Sequence, residues 1–169
     1  MNGIWHLSTI LMALLCVTAP AAANEANFLK SLQGQWTGGG PVRIRVNWSP
    51  ITVSCNFDTQ ADNNTLTMKG TCRGLMFMSR SISADIRYRN AGYSGWYIGP
   101  KGGRARVNGS RVGNAIDLII HWPKTINGDR IADLTVQKIG SNGMKLMTVD
   151  VDPKSGKPVV TSDLNLTRK

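Results

Sequence analysis

Between residues 42 and 48 apolar side chains fall on every second position: Val42, Ile44, Val46 and Trp48 alternate with Arg43, Arg45 and Asn47. A period of two sends successive side chains to opposite faces, so this segment is expected to be a half-buried strand with Arg43 and Arg45 pointing outward. The same period recurs at Ile82, Ala84, Ile86 and Tyr88, at Ile116, Leu118, Ile120 and Trp122, and at Leu164 and Leu166. Helical spacing is confined to Phe28, Leu29 and Leu32, which predicts a short N-terminal helix over 26–32 with Gly34 as its C-terminal stop. Turn signals punctuate the rest: Asn63-Asn64, Asn90-Ala91-Gly92, the Gly/Pro-rich stretch 99–103, Asn127-Gly128, Ser141-Asn142-Gly143 and the stretch 152–158. Short strands at near-even spacing predict an all-β fold, an antiparallel meander of about ten strands closed into a barrel, with a two-sheet sandwich as the alternative. Glycines 38, 39 and 40 precede the expected strand at 42–48 and are read as letting the sheet bend.

The first 23 residues break this rhythm. An apolar run over 10–17 is followed by Thr18, Ala19, Pro20 and the small triplet Ala21, Ala22, Ala23. The run is shorter than the roughly 20 residues a spanning helix needs, and the triplet suits a signal peptidase. Residues 1–23 are therefore expected to be a secretory signal cleaved before Asn24, leaving a single domain over 24–169 in the periplasm or outside the cell, with no transmembrane segment. Cys16 lies after Leu14 and Leu15 inside the apolar run, where a lipid-attachment cysteine would follow a small residue.

Signal removal leaves Cys55 and Cys72, in a compartment where disulfides persist. If Asn63-Asn64 is a two-residue hairpin loop of type I′, with positive φ at both residues, paired positions sum to 127. Cys55 then faces Cys72, Phe57 faces Gly70, Thr59 faces Met68 and Ala61 faces Leu66. Counting from the closing pair Asp62 and Thr65, the cysteines form a non-hydrogen-bonded pair, where Cα atoms are about 4.5 Å apart, within reach of a disulfide. Turn chemistry and cysteine spacing thus predict one bridge, against two buried free thiols.

The stretch from Phe28 to Gly38, with Gly34 and Trp36 in a Gly-x-Trp, resembles the opening of the calycin barrels: lipocalins, fatty-acid-binding proteins and nitrobindins. The resemblance implies that an arginine of the last strand packs over that tryptophan, a role that falls to Arg168, and that cation–π attraction closes the barrel end. A narrower likeness is to the small periplasmic inhibitors of secreted metalloproteases, which implies that residues 24–28 would enter a protease cleft. Nitrobindin-like haem binding needs an axial histidine, and after the signal only His121 remains, in a mid-chain strand.

Charge adds a partner class. The net charge is +10, with 12 Lys/Arg against 4 Asp/Glu over residues 24–111 and 8 against 6 over 112–169. Such a balance attracts anions such as acidic polysaccharide or an anionic envelope component. Lys101, Arg104, Arg106 and Arg111 form the candidate anion-docking face. Tyr93, Trp96 and Tyr97 nearby suit base stacking, but nucleic acid is not expected in that compartment. No catalytic Ser-His-Asp or Cys-His set, zinc spacing, phosphate loop or dinucleotide fingerprint is present, so no enzyme, metal or cofactor is expected. Asp150 and Asp152 offer a carboxylate pair or calcium contact, but the stretch from Asp152 to Gly156 reads better as a turn.

The function expected is binding of a hydrophobic or amphipathic molecule inside the barrel, with Met68, Phe77, Tyr93, Tyr97, Ile120 and Trp122 as lining candidates. Inhibition of a secreted protease and docking to acidic envelope polysaccharide are the alternatives.

Overall fold

The computed structural model describes residues 21–74, 78–100 and 103–169, with side chains from Asn24 onward. Helix α1 (Ala21–Leu32) leads into ten strands: β1 (Gly34–Val42), β2 (Ile51–Asp62), β3 (Thr65–Arg73), β4 (Ser79–Arg89), β5 (Gly92–Ile98), β6 (Arg104–Val112), β7 (Ala115–Ile126), β8 (Asp129–Ile139), β9 (Gly143–Val151) and β10 (Pro158–Arg168). Each pairs antiparallel with its sequence neighbours, and β10 pairs with β1, so the meander closes into a barrel. The sandwich alternative is excluded. The expected signal segment lies almost wholly outside the described residues.

Alternation builds the interior as expected in most strands. In β7, Ile116, Leu118, Ile120 and Trp122 are buried while Asp117, Ile119 and His121 face out. In β2, Val53, Cys55, Phe57 and Thr59 point inward. The core also takes in Leu29 and Leu32 of α1, both fully buried.

The first strand is a correction. Residues 43–48 form no strand: Ile44 and Trp48 are 38 % and 48 % exposed, and they belong to the β1–β2 connection. Arg43 does not face outward from a strand either; its backbone N–H donates to Thr161 O and its Nη1 to Trp48 O at 2.6 Å. The strand is the glycine-rich Gly34–Val42, which carries little apolar alternation. Its place is set by ring closure between β2 and β10. At Gly38, Gly39 and Gly40 a Cβ would strike the backbone carbonyls of Asn165, Val53 and Asp163, so only glycine permits this approach.

The β2–β3 register is the one expected, with Asp62 opposite Thr65 and Cys55 opposite Cys72. The cysteines are joined, with Cα atoms 4.1 Å apart. The turn chemistry differs, because neither Asn63 nor Asn64 has positive φ. The Asp62 carboxylate instead accepts the Asn63 N–H at 2.8 Å. The double positive φ of a type I′ turn occurs at Asn90 and Ala91, between β4 and β5.

A meander places alternate connections at opposite ends. The short turns at 63–64, 90–91, 113–114 and 140–142 share one end with α1 and with Arg168. There Trp36 Nε1 donates to Leu32 O at 3.0 Å, and Glu25 accepts from Tyr93 Oη at 2.5 Å and Arg111 Nε at 2.9 Å. The connections that follow β1, β3, β5, β7 and β9 lie at the other end, and among the described residues no helix covers it.

Candidate functional site: a cavity open at one end of the barrel

The barrel is hollow toward the end opposite α1. A cavity of about 660 Å³ reaches from Leu66, Ile86, Leu134 and Leu146 in the interior up to Arg43, Ile44, Met78 and Pro100 in the end connections. That size lies within the range of small-molecule pockets, which are mostly apolar with a few placed polar groups.

Sequence patterning found part of the lining. Met68, Tyr97 and Trp122 border the cavity, and cross-strand pairing sets Ala84 between Met68 and Tyr97. Tyr93 does not: it lies at the α1 end, packed at 5.3 Å between ring centroids against Tyr88 and bonded to Glu25. Ile120 is fully buried but does not border the cavity. Both were chosen by their apolar face, and a closed barrel has inward positions along its whole height. Phe77 lies outside the described residues.

The polar groups gather toward the open end. Asp150, second to last in β9, is 5 % exposed. Its Oδ2 accepts the Thr161 hydroxyl at 2.5 Å, and its Oδ1 is buried with no hydrogen-bond partner. Thr161 reaches it because the β9–β10 register slips between Val160 and Ser162, a bulge that re-aims the extra residue. Trp122 lies in the irregular stretch of β7 between His121 and Ile126, where Arg130 donates to the carbonyls of Trp122 and Pro123. The Trp122 indole packs at 5.8 Å against Tyr97, and its Nε1 is likewise buried and unpaired. Burial, and next the nearby Asp150 charge, push the Tyr97 hydroxyl up to about 12.

Asp150 was legible in outline. It ends the inward-facing series Met144, Leu146, Thr148, Asp150, so an acid occupies an interior position of an otherwise mostly apolar series. Its neighbour Asp152 belongs to the turn, held by Ser155 and Lys154, and these hydrogen bonds keep its carboxyl below the usual range.

The basic residues divide. Arg104 lies 4.0 Å and Arg106 5.8 Å over the Trp96 ring on the outer face of β5 and β6. Arg111 is not part of that face: it pairs with Glu25 at 2.9 Å and lies over Phe28 at 4.7 Å, anchoring α1 at the covered end. Lys101 lies outside the described residues. At the barrel closure, the Arg168 guanidinium lies 4.3 Å from the Trp36 ring centroid, and Gly34 leaves the room it needs.

His121 faces outward and shares a 2.8 Å hydrogen bond with Asn108. Among the described residues no cluster of three or more His, Cys, Asp or Glu is placed to hold a metal ion, and no helix is long and apolar enough to cross a membrane.

The chain is a closed ten-stranded antiparallel barrel, the architecture expected of a calycin-like protein. Compared with known families and with curated proteins, its sequence matches no family model and no curated protein.

Proposed function

We propose that this protein is an exported, non-catalytic carrier of a calycin-like kind, which takes an amphipathic molecule into its barrel through the end opposite α1. The observation that carries the reading is the hollow interior. A filled barrel would gain more from close packing, because each void forfeits contacts. The deep apolar wall suits a hydrocarbon tail, and the polar groups near the mouth suit a head. The disulfide fits an oxidising compartment outside the cytoplasm.

The inhibitor reading needs residues 24–28 free to leave the barrel. Here Glu25 is buried against Arg111 and Tyr93, and Phe28 lies under Arg111, which favours the carrier.

The test is filling the cavity. Ala84 borders it, so Ala84→Trp is expected to place an indole in the void, abolish uptake of the neutral probe N-phenyl-1-naphthylamine, and leave the fold intact by circular dichroism. Uptake unchanged in the variant, or absent in the wild type, defeats the carrier reading.

A further inference from the structure

Two residues that border the cavity, Asp150 and Trp122, each carry a buried polar atom without a partner. Asp150 Oδ1 is an acceptor and Trp122 Nε1 a donor, both buried and neither bonded within the protein. A buried polar group without a partner is costly, and more so when it is charged, so such groups mark places where something else binds. The ion pairs of the described residues, Arg111 with Glu25 and Lys145 with Asp163, lie elsewhere, so no base offsets Asp150 at contact distance. Arg43 and Arg80 border the cavity as well, from the β1–β2 connection and the start of β4, and Arg43 directs its Nη1 to Trp48 O.

Resting on the carrier reading, we propose that the ligand is a single-chain amphiphile whose head carries an amine, bound by Asp150, beside a neutral oxygen acceptor for Trp122. A long-chain carboxylate is disfavoured, since its charge would meet the Asp150 carboxylate.

This preference opposes the field of the whole molecule. A net charge of +10 draws anionic amphiphiles to the surface, so non-specific binding favours the carboxylate. A preference for the amine therefore reports the interior.

The experiment compares dodecylamine, 1-dodecanol and dodecanoate as competitors of N-phenyl-1-naphthylamine, at about 0.15 M salt to screen the surface. In the wild type dodecylamine is expected to bind at least about tenfold more tightly than dodecanoate, the factor a charge-assisted hydrogen bond supplies. Asp150→Asn, which keeps the shape, is expected to shrink that ratio to about threefold or less, with dodecanol as the uncharged reference. The wild-type ratio needs no variant, so a misfolded Asp150→Asn does not shield the proposal. Dodecanoate binding as tightly as the amine, or an unchanged ratio in the folded variant, overturns the head-group assignment and leaves the carrier standing. Failure of all three to displace a bound probe overturns the assignment as well. A wild type that binds neither probe nor amphiphile overturns both.

Discussion

Arg168 caps Trp36: its guanidinium lies 4.3 Å from the ring centroid, and its Nη atoms donate to Ser31 O and Gln33 O. One side chain of the last strand thus ties the end of α1 to the start of β1. Lys138 Nζ lies 5.5 Å from the same ring and donates to the carbonyls of Gly140, Ser141 and Gly143. Burial, and then Arg168, hold the Lys138 ammonium below the usual lysine range.

Arg168→Ala removes both carbonyl contacts and the cation–π contact. A loss of about 2 kcal/mol is expected in urea unfolding. Arg168→Lys restores the charge but not the fork that reaches two carbonyls, and is expected to recover less than half. Equal stability of all three proteins would refute the capping role.

The Cys55–Cys72 bridge restrains a loop of 18 residues, both cysteines included. Reduction, or the double Cys→Ser variant, is expected to lower stability by about 3 kcal/mol through the entropy of the unfolded chain. Paired urea titrations with and without reductant measure it, and a free-thiol assay on native protein should read zero for this pair.

Glu25 is the anchor of the helix. Glu25→Gln leaves Arg111 without its counter-charge and weakens the Tyr93 contact, at an expected cost of about 2 kcal/mol. The loss is expected to be local first, so amide exchange at Leu29 and Leu32 should quicken more than at Ile116 or Ile120. Uniform acceleration would show that α1 does not open separately.

Tyr97 predicts an alkaline limit. Its hydroxyl is pushed up to about 12 by burial and by Asp150, so the fold favours the neutral phenol. That stabilisation is complete below the ordinary tyrosine value near 10 and is lost as pH rises from about 10 to 12, where the unfolded chain ionises first. The expected drop is about 2 kcal/mol. Tyr93, raised by burial and by its bond to Glu25, adds to the same trend. Tyr97→Phe should flatten the stability curve over that window; an identical curve counts against the assignment.

Much of the fold was legible because a barrel repeats one local rule. The alternations at 82–88 and 116–122 mark β4 and β7, and the two-residue loop at 63–64, with the cysteine spacing in agreement, gives the β2–β3 register although the loop's conformation is not type I′. The β1 strand was hidden because its position depends on partners more than 120 residues away in β10, while its own glycines carry no alternation. The exposed series at 44–48 carried the pattern of a strand without the partners. The site was half legible for a related reason. An apolar face names inward positions but not their height in the barrel, so Met68 and Trp122 reached the cavity while Tyr93 and Ile120 did not. Arg111 was misplaced because its partner, Glu25, is 86 positions away and no local pattern connects them.

The pairing of β10 with β1 has a last consequence. Every strand is paired on both flanks, so the sheet has no edge strand onto which a foreign strand can zip. Self-assembly by strand addition is therefore closed to this molecule unless the ring first unfastens.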